Sequence, residues 1–224
     1  MTGAIYHFTD KSETRPIVCE KQLEALQEFA KSLDIEVLDV FLDKSLKKSE
    51  QAQFEAFMSV CERYDCLVTK DFHHIDKHTR AMMKVMKELR DKGLTIYSIE
   101  NGVFDFTEAP LNKKLRVATY TMGDANIRNV KNSIQLQQDI YASFVRRKTE
   151  WSLIRQYADI CLIQNDAAQE SLMDLLEHKN EFDILLVNNL GDVNWRTARF
   201  CKLRSLLGKD IYSLQDGYLI YKEA

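Results

Sequence analysis

Two pairs of carboxylates stand at matching places in this 224-residue sequence, Asp10 with Asp43 and Asp124 with Asp159. Paired acids of this kind can hold magnesium through oxygen ligands, and their plainer reading is as solvated loop acids. Three histidines, His7, His74 and His78, accompany the first pair. His74 and His78 are four residues apart, a spacing that would put both imidazoles on one helix face as metal ligands need. With Asp10 and Asp43 they would converge on the C-terminal edge of a sheet, where α/β proteins commonly bind ligands. That pocket would support metal-dependent hydrolysis at Asp10, Asp43 and His74. The second pair has no equivalent histidine, which favours the plainer reading: polar residues without a metal, and no cofactor.

The elements that would position these groups are written twice. Tyr64-Asp65-Cys66-Leu67-Val68 and Ile96-Tyr97-Ser98-Ile99 recur as Phe182-Asp183-Ile184-Leu185-Leu186-Val187 and Ile211-Tyr212-Ser213-Leu214. Tyr6 maps to Tyr120, Gln22-Leu23 to Gln135-Leu136 and Asp43 to Asp159, all in the same order. A period of about 110 residues makes each unit a domain rather than a solenoid repeat. The expected organisation is a first domain over residues 1–104, a linker at 105–115 around Pro110, and a more degenerate second domain over 116–224.

Within each half, strand-sized apolar runs alternate with amphipathic helical runs, which is the pattern of a wound α/β unit. Strands are expected at 4–8, 35–42, 66–69 and 94–99, and helices around Leu23 to Leu33, Phe54 to Cys61 and Met82 to Leu89. The second half repeats them at 117–120, 151–158, 184–187 and 210–214, with helices between. Gly93 and Gly208 fall where helix C-caps need positive φ. Each half is thus an open, mainly parallel sheet of four or five strands flanked by helices.

Composition bounds the function classes. With 45% hydrophobic and 29% charged residues and a net charge of −3, the chain is globular and lacks the basic footprint of a nucleic-acid binder. Its apolar runs are strand-sized, so no membrane span or signal peptide is expected. Five cysteines without a C-x-x-C pair read as reduced thiols in a cytoplasmic protein. Lys113, Lys114 and Arg116, at the end of the linker and the start of the second domain, could form a basic patch, and their plainer reading is as solvated charges. Met82, Met83 and Met86 read as core packing. Trp195 is either a partner surface or a packing residue.

In order and spacing, Tyr6, Gln22-Leu23, Asp43, Tyr64 to Val68 and Glu88-Leu89-Arg90-Asp91-Lys92-Gly93-Leu94 resemble the catalytic domain of the serine recombinases, the resolvases and invertases. The resemblance covers residues 3–104 well and 116–220 more faintly, as a degenerate tandem duplication. That family attacks DNA with a serine in a Tyr-x-Arg-x-Ser pattern and neutralises the phosphate with arginines, because the hydroxyl must form the phosphoester and charge develops on the phosphoryl oxygens. Here the first copy has Phe8 at the arginine position and Asp10 at the serine position, and the second has Met122 and Asp124. The family's Asp-Arg-x-x-Arg motif maps its arginines onto His74 and Lys77, and onto Asp192 and Trp195, while a further arginine position maps to Gln51. A carboxylate in place of the serine repels a phosphate.

The resemblance also implies a long dimerising helix and a DNA-binding domain after the fourth strand, where this sequence has its linker and then stops at Ala224. The expectation is therefore a catalytically inactive, resolvase-like protein that binds a protein partner or regulates recombination or mobile elements, with DNA binding weak or absent. A one-residue gap would instead place Thr9 at the serine site and leave residual strand exchange. The two halves are expected to pair within a monomer, with a weak homodimer through the exposed helices left open.

Overall fold

A computed structural model describes residues 1–9, 16–44, 51–107, 113–161 and 169–221. Asp10 and Pro110 lie outside these. The chain divides into two compact units, Met1–Asp105 and Phe106–Tyr221. Among the described residues no helix is long and apolar enough to cross a membrane.

The first unit runs β1 (Thr2–Phe8), α1 (Pro16–Ser32), β2 (Glu36–Asp43), α2 (Ala52–Val60), β3 (Cys66–Thr69), α3 (Thr79–Asp91), β4 (Thr95–Ser98) and β5 (Gly102–Thr107). The strand order is β2-β1-β3-β4-β5. All neighbours are parallel except β4 and β5, which form an antiparallel hairpin pairing Ile96 with Phe104. Side chains alternate across a strand. Ile5 accordingly packs with Leu26 and Ala30 of α1, while Tyr6, on the other face, meets Phe54 of α2 with ring centroids 4.8 Å apart. Met82, Met83 and Met86 are buried, so α3 uses its methionines as core.

The second unit runs β6 (Leu115–Asp124), α4 (Val130–Arg146), β7 (Trp151–Cys161), α5 (Glu170–Glu177), β8 (Ile184–Val187), α6 (Thr197–Leu207), β9 (Asp210–Ser213) and β10 (Gly217–Ile220). Its order is β7-β6-β8-β9-β10, again parallel up to a terminal antiparallel hairpin. Tyr141 and Val145 of α4 pack with Val117, Ile184 and Leu186.

Three sequence expectations need correction. Strand β5 runs to Thr107, so residues 105–107, read as the start of a linker, extend this strand beyond its pairing with β4 at Gly102 to Phe104. Strands β6 and β7 reach Asp124 and Cys161, beyond the expected ends at 120 and 158, because their ladder continues through Asp124 opposite Cys161. His74 and His78 share no helix. His74 closes a 3₁₀ turn over Phe72–His74, and His78 precedes α3, its N–H held at 2.8 Å by Asp76 Oδ1.

The helix ends agree with the glycine placement. Gly93 (φ 85°) follows α3, and Gly208 (φ 60°) caps α6 with its N–H on the Arg204 carbonyl at 3.0 Å.

Candidate functional site

Asp43 ends β2 and is 4% exposed. It is no solvated loop acid. Its Oδ1 accepts from the Gln53 N–H at 3.1 Å, and its Oδ2 from the Phe54 N–H at 2.9 Å, so an acid from the neighbouring strand satisfies open N–H groups of the first turn of α2. The Tyr6 hydroxyl donates to the same Oδ2 at 3.3 Å. Burial, and then the Asp43 charge, push the Tyr6 phenol far above its usual range, which keeps it a neutral donor. Gln51, also buried, hydrogen-bonds the Tyr6 side chain.

The second unit builds the same device. The Tyr120 hydroxyl donates to Asp159 Oδ2 at 3.0 Å, and Asp159 takes the Ser171 and Leu172 N–H groups of α5 at 2.9 and 3.0 Å. Burial followed by the Asp159 charge raises Tyr120 in the same way. The Gln51 role falls to Gln169, whose Nε2 donates to the Tyr120 hydroxyl at 2.9 Å and also reaches the Val193 carbonyl at 3.3 Å. The sequence reading missed Gln169. The signal was its offset of 118 from Gln51, equal to that between Tyr64 and Phe182.

Around each device, the positions matched to phosphate-binding arginines hold other chemistry. Phe8 is 4% exposed and packs on His74 with ring centroids 5.7 Å apart. His74 also lies 5.5 Å from His7 and 4.5 Å from His73, centroid to centroid. Burial, then the neighbouring His73 and His7 charges, depress the His74 pKa to about 3, so at neutral pH it is uncharged. His73 Nδ1 sits 2.9 Å from Asp71, and His7 Nε2 is 2.9 Å from Gln22 Oε1. Lys77 is exposed.

Thr9 is buried, and its N–H donates to the Asp43 carbonyl at 2.9 Å, continuing the β1–β2 ladder. In the second unit, Met122 Sδ lies 3.7 Å from Gln169 Nε2. Asp124 turns onto its own loop, accepting from Asn126 N–H at 2.9 Å and Asn126 Nδ2 at 3.1 Å. Asp192 closes a capping box with Asn189. Trp195 is half-buried, with the Arg196 guanidinium 4.8 Å from its ring.

The structure thus brings Tyr6, Asp43 and Gln51 together, and His74 with Phe8. It brings Tyr120, Asp159, Gln169 and Met122 together in the second unit, and turns Asp124 and Asp192 into local turns. The Asp10 partner of Asp43 falls outside the described residues. Among the described residues no three His, Cys, Asp or Glu side chains are grouped to hold a metal ion. Both Asp43 oxygens already accept hydrogen bonds, and His74 packs against the imidazoles of His7 and His73 and the phenyl ring of Phe8.

A mainly parallel sheet in β2-β1-β3-β4-β5 order, flanked by helices, with a buried tyrosine and aspartate joining its first two strands, is the α/β class of the resolvases. The model of the resolvase N-terminal domain matches residues 11–125, just over half of the chain, and the chain belongs to that family. Similar solved structures include the N-terminal catalytic domain of TP901-1 integrase, 16% identical with a TM-score of 0.40, covering 46% of this chain and 79% of that one. The C-terminal catalytic domain of ISC1926 TnpA, an IS607-like serine recombinase, is 15% identical with a TM-score of 0.39, covering 44% and 70%. A resolvase-family site-specific recombinase from Streptococcus pneumoniae is 14% identical with a TM-score of 0.36, covering 65% and 92%. Among curated proteins, none matches the chain.

Proposed function

We propose that this chain is a catalytically inactive, resolvase-like protein whose two halves descend from a tandem duplication, and that it works by binding a protein partner in DNA recombination or mobile-element regulation. The observation that carries the reading is the self-contained hydrogen bonding of Asp43 and Asp159. Each carboxylate is consumed by its own tyrosine and its own helix N-terminus, so the surviving family residues act as structural ties. The places where guanidinium groups would neutralise a phosphate hold a buried phenyl ring at Phe8 and an uncharged imidazole at His74.

Duplication is supported by correspondence beyond the sequence repeat. Asn101 Oδ1 accepts from the Phe72 N–H at 2.9 Å, and Asp216 Oδ2 from the Leu190 N–H at 2.9 Å. Ser98 and Ser213 each donate to the carbonyl that follows the third strand of their unit, at 2.8 and 3.1 Å.

Incubation with supercoiled plasmid DNA tests the inactivity. The expected result is no nicked or relaxed product above buffer with magnesium present. Relaxation that disappears in Thr9→Ala would support strand exchange through Thr9 instead.

A further inference from the structure

Between α2 and α3 of the first unit the surface opens into a groove of about 450 Å³. Met58, Ile75 and Val85 supply apolar floor. Glu55, Asp76 and Glu88 also line it, against a single lining lysine, Lys84. Three carboxylates line the groove against one lining ammonium, and with Lys92 pairing Glu88 from beyond the lining the rim still carries an excess of negative charge. Glu55 and Glu88 are exposed and Asp76 is half-buried. Asp76 is fixed by the His78 N–H, and Glu88 is held by Lys92 from the next helical turn at 3.4 Å.

The second unit shows that the fold does not need these acids. At an offset of 118, Glu55, Asp76 and Glu88 become Met173, Asn194 and Leu206, while Lys84 stays lysine at Lys202. Met173 and Leu206 remain 56% and 48% exposed, so the substitution has not turned these positions into core. Asn194 Oδ1 accepts the Arg196 N–H at 2.9 Å just as Asp76 accepts that of His78. The same local turn therefore forms with or without the charge, and the second unit carries no acid at any of these three positions.

We propose that this groove is the docking site for a basic, apolar-anchored helical segment of a partner protein. Two or three large apolar side chains one helical turn apart fill the floor over Met58 and Val85, and flanking lysine or arginine meets Glu55, Asp76 and Glu88. The same rim repels the phosphates of nucleic acid, which sets the partner class. The assignment deepens the reading of the chain as a protein-binding module and rests on it. Thr9 and Tyr6 take no part, so its failure leaves the statement about DNA cleavage where it stands.

The test uses the full chain and a fluorescent amphipathic peptide of about 15 residues, long enough to be helical when bound, with leucines one turn apart and lysines on the flanks. A control peptide carries glutamate at every lysine. Anisotropy is read for the native chain and for Glu55→Met/Asp76→Asn/Glu88→Leu, which installs the residues the second unit already accommodates. The lysine peptide is expected to bind with a dissociation constant on the order of micromolar. The glutamate peptide and the triple variant should each weaken binding by about tenfold or more. Should the triple variant lose helix content, Glu55→Lys at its exposed position gives the same reading. Equal binding of the two peptides, unchanged binding by the variant, or no binding of the lysine peptide at roughly 100 times that concentration overturns the assignment.

Discussion

Tyr6 and Asp43 meet inside the first unit at 3.3 Å, joining the C-terminal ends of two neighbouring strands, and the carboxylate is at once the cap of the following helix. One side chain therefore ties β1, β2 and α2 together. Tyr120 and Asp159 do the same for β6, β7 and α5.

Asp43→Ala is expected to lower the unfolding free energy by about 2–4 kcal/mol, since it leaves two helix N–H groups and a buried phenol without their acceptor. Asp43→Asn keeps one acceptor oxygen and should cost less. Urea unfolding measures both, and Asp159→Ala should match Asp43→Ala. A loss under about 0.5 kcal/mol, the range of an ordinary surface substitution, would show that the tie is not structural.

The His7, His73 and His74 cluster predicts acid sensitivity. His74 titrates near 3 in the fold because burial first, and the adjoining imidazoles next, oppose its charge. The unfolded chain takes up that proton near pH 6.5. A folded pKa below the unfolded one means that stability is complete above about pH 6.5 and falls as pH drops toward 3, by about 2 kcal/mol between pH 7 and pH 5. His74→Leu should flatten this part of the profile. The residues facing His74 include Asp71, whose charge partly offsets the effect, so a slope unchanged in His74→Leu would assign the acid sensitivity elsewhere.

Gly3 predicts a packing limit at the start of β1. A Cβ there would lie 2.6 Å from Ile35 Cγ2 and 2.8 Å from Cys66 Sγ. Gly3→Ala is expected to destabilise by about 1–3 kcal/mol through overpacking. Thermal unfolding reads the shift, and an unchanged midpoint would mean that Ile35 moves aside freely.

The parts of the fold that were legible in the sequence are those whose burial is one-sided and periodic. Leu67 and Val68 in β3, Leu185 and Leu186 in β8, and Met82, Met86 and Leu89 in α3 announce themselves by spacing alone. Strands β5 and β10 did not, because each pairs back on its predecessor across a turn with a positive-φ glycine, Gly102 or Gly217. The residue pairs of the site were visible as a repeat, Tyr6 with Tyr120 and Asp43 with Asp159. Their role was not. Capping of α2 by an acid from β2 is a tertiary contact with no local spacing, and Gln169 became recognisable only once Gln51 was seen beside Tyr6. The proposed histidine helix failed for a local reason. Asp76 takes the His78 N–H and starts the helix only after it.

The central proposal is that neither unit carries the family's serine or phosphate-neutralising arginines at their matched positions, and that the surviving Tyr6–Asp43 and Tyr120–Asp159 pairs act as structural ties. Its most direct test is a search for covalent protein–DNA intermediates on supercoiled plasmid, trapped by denaturant and mapped by mass spectrometry of the nuclease-digested peptide. The account predicts no nucleotide-linked peptide from either unit. A phosphodiester on Thr9, abolished by Thr9→Ala and unaffected in Asp124→Ala, would contradict it.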